Sequence, residues 1–390
     1  MSKITLISQI INKLDRNSFK KLVDTYQSDK HSKGINSWTH LVSMLFLHFS
    51  KSNSLREISN GLRSSTGNLN HLGIMKAPSK SSLSYINEHR DCQLFKDYYF
   101  KLLEQFSISA GFKQTKFKIK SKIYLMDSTT ISLCLQLYDW AKYKATKGGI
   151  KLHTVLDYDS CLPVFVHLTE ARTNDVKIAY NYEFPKSSVA VVDRAYVDFK
   201  WLYLLTLKGV FFVTRLKRNI KFIRLEEREL SATKNQHILV DEYIELLEET
   251  TKSKYPKKLR RIVVFVPEKN ETIEFITNNF IWTAETISQL YKSRWQIEIF
   301  FKEIKQLLKI KSFVGTTENA VMIQVWTAMI TILIVKYLKH IAKYKWCLSN
   351  LVAFLRLNIF VKIDLQIWLD KPFEVEDSEF FYNDKLTLFG

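Results

Sequence analysis

The chain is short of the residues that build linkers, knuckles and membrane spans. It has only 10 Gly and 6 Pro in 390 residues, which excludes collagen-like and linker-rich architectures. Its four cysteines, Cys92, Cys134, Cys161 and Cys347, are too far apart for a CxxC knuckle or redox motif. They read as reduced thiols of a cytoplasmic protein. The nine histidines show no HxxxH or HExxH pair, so a histidine-based zinc site is not expected. The N-terminus lacks the apolar core and small-residue cleavage site of a signal peptide. The longest apolar run, Val321 to Val335, is short for a span and contains Gln324, so a buried core helix is the better reading.

What is abundant is apolar and positive. Apolar residues make up 46% and aromatics 13%, ample for a folded core. Lys and Arg outnumber Asp and Glu by 58 to 39, a net charge of +19. Such a charge on a folded chain calls for a polyanion, with nucleic acid first among candidates. A lysine-rich genome is the alternative source of part of that excess. The charge is uneven. Residues 1–120 hold 19 Lys and Arg against 8 Asp and Glu, and residues 361–390 hold three against seven.

Helical periods occupy roughly 4–26, 37–51, 54–63 and 80–108. Ser54 to Leu62, followed by Ala77 to Arg90 with its Pro and Ser cluster, fits a helix-turn-helix, as it also fits an ordinary small bundle. Near residue 120 the period changes. Residues 121–206 read β-β-β-β-α-β-α, with a hairpin turning at Asp157, Asp159 and Ser160, a helix capped by Asn174, and a buried strand ending at Asp193. Residues 207–283 read as β-rich, apart from an ambiguous EYIELLEE. Residues 284–358 read as mostly helical.

Asp127 stands in a strand beside apolar Leu125 and Met126, and Asp193 follows the apolar run Val189 to Val192. Functional groups gather at the carboxyl ends of strands in open α/β sheets, although each Asp alone could be a turn or cap residue. The helix from Ile287 is more specific. At about 100° per residue, Tyr291, Arg294, Glu298, Lys302 and Lys305 fall in one stripe about 80° wide. Leu290, Ile297, Phe301, Ile304 and Leu308 form an apolar stripe beside it. A solvated face with i,i+4 ion pairs is the plain alternative. Yet such a face has no need of a tyrosine and three cations round one acid.

The spacing Tyr291-x2-Arg294-x3-Glu298-x6-Lys305 resembles the Y-x2-R-x3-E-x6-K signature of bacterial insertion-sequence transposases of the DDE class. MDSTTISL and VVDRAYVDF resemble that family's first- and second-Asp strands, with Ala195 in place of the usual Gly. The match runs over roughly 120–345. It implies an α/β, RNase H-like mixed sheet with flanking helices, interrupted by a β-rich insertion and preceded by a helical DNA-binding domain. The expected division is 1–118 helical and basic, 119–206 plus 284–345 catalytic, 207–283 insertion, and 346–390 a helical and acidic tail.

The resemblance also implies that Asp127, Asp193 and Glu298 are catalytic and bind two Mg²⁺, with Mn²⁺ able to substitute. Three unpaired carboxylates converging on one point would repel one another, so the site calls for its own cations. Tyr291, Arg294 and Lys305, with Lys302 less specifically, are expected at DNA phosphates. Arg194 and Arg215 are further phosphate candidates or plain surface cations. The implied partners are double-stranded DNA, as terminal inverted repeats and target, and a second copy in a synaptic dimer, with no membrane. Hairpin formation calls on an aromatic for a flipped base, for which Trp282 and Trp201 are the nearest tryptophans. The rival functions are an RNase H-like nuclease without strand transfer and an inactive DNA-binding repressor.

Overall fold

The computed structural model describes the chain outside residues 1–2, 33, 66, 111–116, 118, 134–136, 145–146, 230–236, 308–311 and 375–390. Cys134, Leu308 and most of the acidic tail therefore lie outside the described residues. The N-terminal part is helical: α1 (Leu6–Ile11), α2 (Arg16–Thr25), α3 (Ser37–Ser50), α4 (Leu55–Ser64), α5 (Lys80–His89) and α6 (Gln93–Ala110). The helix expected over 4–26 is two helices, because Asp15 accepts from the backbone N–H groups of Asn17 and Ser18 and starts a new one. The helix expected over 80–108 is likewise two. Arg90 is extended, and its buried guanidinium reaches Asp29 and the Ile35 carbonyl.

The middle of the chain supplies β1 (Ile123–Leu133), β2 (Lys142–Lys144), β3 (Lys147–Asp157), β4 (Leu162–Glu170), α7 (Asp175–Ala179), β5 (Val189–Val192) and α8 (Phe199–Leu207). This is the β-β-β-β-α-β-α order. The β3–β4 turn is built as expected, with Asp157 Oδ1 accepting from the N–H groups of Asp159 and Ser160. Next come β6 (Phe211–Arg215), β7 (Phe222–Glu227), β8 (Ile238–Leu246), α9 (Glu249–Lys252), β9 (Leu259–Val266) and β10 (Glu271–Thr277). The ambiguous EYIELLEE is mainly strand β8. The chain continues through α10 (Ala284–Ser293), α11 (Trp295–Leu307), α12 (Glu318–Ile341), α13 (Leu348–Leu357) and α14 (Leu365–Asp370).

The ten strands among the described residues join one mixed sheet, in the order β2-β3-β1-β5-β6-β10-β9-β8-β7, with β4 also on β3. β1 runs antiparallel to β3 and parallel to β5, and β5 runs parallel to β6. Successive side chains face opposite sides of a strand, so each strand feeds two cores. Leu125, Val191 and Val213 face one core with α10, α11 and α12. Tyr124, Met126, Ala190, Val192 and Phe212 face the other, with α8.

Helix α12 is the apolar run expected to be a core helix. By length and composition it would cross a membrane, but 83% of its most apolar window is buried inside the protein. Gln324, fully buried, donates to the Ser312 carbonyl and accepts from the Val314 N–H, so its polarity is used to hold the preceding loop. Asn319 donates to the carbonyls of Asn87 and Arg90 and ties α12 to the N-terminal helices. These helices and α12 share one continuous core.

The strands after β6 are anchored to α10 by charge. Arg260, fully buried, gives Asp241 two hydrogen bonds of 2.7 Å and donates to the Trp282 carbonyl just before α10. Removing one partner of such a pair leaves a buried charge uncompensated. Asp241→Ala is therefore expected to lower unfolding free energy by about 3–5 kcal/mol in chemical denaturation.

Candidate active site

The register of β1 and β5 brings the first two acids together. Their pairing ends at Met126 opposite Val192, so Asp127 and Asp193 follow side by side on neighbouring strands. Both continue the alternation of Leu125 and Val191, which places them on the face covered by α10 and α11. Asp193 is half-buried, and Asp127 keeps a fifth of its side-chain exposure.

The two helices bring the remaining groups. Tyr291 on α10 donates its hydroxyl to Asp193 Oδ1 at 3.3 Å. Arg294 stands in the single turn between α10 and α11. Its Nη1 donates to Asp127 Oδ2 at 2.9 Å and its Nη2 to Glu298 Oε1 at 2.5 Å. Lys305 Nζ donates to Thr129 Oγ1 at 2.5 Å, and Thr129 shares the face of Asp127. Helix α11 thus lies along β1, and the stripe Tyr291, Arg294, Glu298 and Lys305 meets the sheet. Lys302 does not join them. It is exposed and makes no ion pair among the described residues.

The reading of one unbroken helix needs correction, since the chain turns at Arg294, where its N–H donates to the Tyr291 carbonyl. The carboxylates are not unpaired either. The Arg294 guanidinium bridges Asp127 and Glu298 and lies over the Tyr291 ring, 5.7 Å from its centroid. Arg294 therefore serves the acids in this structure.

Burial pushes the Asp127 carboxyl up to about 6, with Asp193 and Glu298 raising it further against the lowering effect of the Ser128 N–H and Arg294. Burial also pushes the Tyr291 hydroxyl up to about 12. Thr154, paired with Asp127 across β1 and β3, has a buried hydroxyl without a hydrogen-bond partner. The donors on this face are hard oxygens, the chemistry that suits Mg²⁺ or Mn²⁺. As the side chains stand, no three acids, histidines or cysteines among the described residues are grouped closely enough to grip an ion.

Arg194 is exposed, and Arg215 is half-buried and close enough to Tyr291 to act on its hydroxyl. Trp201 is buried in the α8 core, and Trp282 is half-buried with Phe211 packed against it. Sequence reasoning passed over Trp295, which is 60% exposed immediately after Arg294. It also passed over Asp175, which accepts from the Ser128 hydroxyl at 2.7 Å. The run RWQIE carried the Trp295 signal. Asp175 is the first residue of α7, next to its cap Asn174.

The mixed sheet thus carries two acids at adjacent strand ends, faced by a helix with a third. A family described as the transposase DDE domain matches residues 118–334, and a domain of unknown function matches residues 2–75. The chain belongs to the DDE-domain transposases. It is 33% identical over 257 residues to a Sinorhizobium fredii protein named as a transposase, covering 65% of this chain and 70% of that one. It is 29% identical to a Geobacillus stearothermophilus protein named as the transposase for insertion sequence element IS5377, covering 64% and 66%. A solved piggyBac transposase synaptic complex with hairpin DNA aligns over 91% of this chain and 78% of that chain, at 8% identity and a TM-score of 0.39, too loosely to carry any argument.

The raised Asp127 has a consequence for stability. The folded state binds its proton more tightly than the unfolded state, whose value is near 3.8. Stability therefore falls as pH rises between about 4 and 6. Asp127→Asn removes the ionisation. It is expected to be more stable than wild type at pH 7 by about 1–3 kcal/mol in urea denaturation, with the gap closing towards pH 4. A variant less stable at pH 7 would contradict this.

Proposed function

We propose that this transposase excises and transfers an insertion sequence by divalent-cation-dependent cut-and-paste chemistry at Asp127, Asp193 and Glu298. The observation that carries the reading is the β1–β5 register, which sets Asp127 beside Asp193 under the helix bearing Glu298. An RNase H-like core is supported by the strand order β4-β3-β1-β5-β6, in which β1, β3 and β4 alternate in direction and β5 and β6 run with β1. On this reading β6 is the last core strand, so the β-rich insertion starts after Arg215 rather than at residue 207.

The donor set fits two Mg²⁺ ions in its chemistry, and Asp127, Asp193 and Glu298 would hold them. When bound, such ions neutralise the attacked phosphate and acidify the attacking hydroxyl. The chain's own groups do the rest. Asp127, whose carboxyl burial raises to about 6, would hold a cation on the side where it now meets Arg294. Tyr291 keeps Asp193 oriented. Arg294 carries the planar fork that would bind phosphate in two places if cations took over the acids. Lys305 reaches the same strip of β1 and supplies a point charge for the DNA backbone. Lys302, exposed one turn from Glu298, is a more distant phosphate contact. Trp295 offers the open ring face that a displaced base requires. The N-terminal helices, with most of the excess positive charge, would grip the terminal repeats as part of a dimer that holds two ends.

The test supplies DNA carrying the inverted repeats that flank the gene, together with a supercoiled target and Mg²⁺. Wild type is expected to cut the ends and join them to the target. Asp127→Ala, Asp193→Ala and Glu298→Ala are expected to lose both steps while still binding the ends, with binding that weakens steeply with salt. Full cleavage by Asp127→Ala would refute the assignment. Cutting without joining would favour a nuclease, and end binding without any product in Mg²⁺ or Mn²⁺ would favour a repressor.

A further inference from the structure

The sheet face opposite the three acids carries a second polar cluster that the proposed reaction leaves unused. Side chains alternate along β1, so Ser128 turns away from the face of Asp127. The Ser128 hydroxyl donates to Asp175 Oδ1 at 2.7 Å. Lys151 Nζ lies 3.3 Å from the same oxygen. His153, directly across from Ser128 in β3 and fully buried, brings its Nδ1 within 3.4 Å of it. His153 holds Thr169 Oγ1 through Nε2 at 2.9 Å, and its Nδ1 makes no hydrogen bond. Tyr196, three residues beyond Asp193, has a fully buried hydroxyl beside Ser128, in the field of Asp175 and Asp127.

One carboxylate therefore touches the segment following the first acid and influences the segment following the second. The link to Asp127 is direct, because the Ser128 N–H donates to Asp127 Oδ1 at 2.8 Å. The same residue thus meets Asp175 through its hydroxyl and Asp127 through its backbone. A role as a simple first-turn acid of α7 does not account for this. Helix α7 has only five residues, and Asp175 spends its oxygen on Ser128, Lys151 and His153.

We propose that Asp175 is a positioning residue for Asp127, acting through Ser128 across the sheet to fix the carboxylate against Asp193. The inference rests on the reading of Asp127 and Asp193 as cation ligands. Groups that orient ligating carboxylates typically change metal affinity by about 10- to 100-fold when altered.

The experiment measures Mn²⁺ binding to the full chain without DNA by electron paramagnetic resonance, with thermal unfolding of each variant alongside. Asp175→Asn and Ser128→Ala are expected to weaken binding by about tenfold or more, with Ser128→Thr restoring it. If Asp175→Asn does not fold, Ser128→Ala and its threonine counterpart decide. Wild-type affinity in both Asp175→Asn and Ser128→Ala would overturn the inference. If Asp127→Asn binds Mn²⁺ as well as wild type, the cation reading itself fails. The crystal structure of Ser128→Ala then decides: a displaced Asp127 carboxylate supports the positioning role, and an unmoved one overturns it.

Discussion

The structure is organised around repulsion. Asp127 and Asp193 stand side by side on parallel strands because the pairing of β1 with β5 stops one residue short of each, and Glu298 is lowered towards them from α11. Three carboxylates on one face of a partly buried sheet oppose folding unless positive charge stands among them. Arg294 supplies it, reaching both Asp127 and Glu298 from the turn between two helices. At that turn the backbone stays right-handed and tightens to i,i+3 hydrogen bonds, Arg294 to Tyr291 and Ile297 to Arg294. One guanidinium thus serves two of the three acids, and on the proposed reading it stands where a cation would.

The rest of the fold keeps this arrangement in register. Helix α12 and the N-terminal helices form the core under α11. Arg260 and Asp241 tie the outer strands to the start of α10, and so to Tyr291. On the opposite face, α8 packs on the alternate side chains of β1, β5 and β6, and Asp175 meets Ser128. A change in strand register by one residue would exchange the two faces and carry the acids away from α11.

Much of this could be read in the sequence, for identifiable reasons. The alternating strands around Asp127 and the apolar run before Asp193 are local patterns, and local patterns survive folding. The stripe of Tyr291, Arg294, Glu298 and Lys305 follows from helical spacing and meets the sheet despite the turn at Arg294. Lys302 shares the spacing but falls on the solvent side. What could not be read depends on partners distant in the chain. The split of the first long helix depends on the Asp15 cap, and that of the later one on Arg90 reaching Asp29. The stretch EYIELLEE has helical composition but becomes strand because β9 supplies ladder bonds and places Arg261 opposite Glu242. The Arg294 bridge and the Asp175 contact join residues whose proximity no single sequence displays.

The most direct measurement of whether the three acids form one cation site is cleavage of the polypeptide by bound Fe²⁺. Ferrous ion placed in the site, with ascorbate and peroxide, generates hydroxyl radicals that cut the backbone near the ion. Cuts are expected in three separate places, around Asp127, Asp193 and Glu298, suppressed by excess Mg²⁺ and lost in Asp127→Asn. Cuts confined to one segment, or falling elsewhere and unaffected by Mg²⁺, would contradict the account.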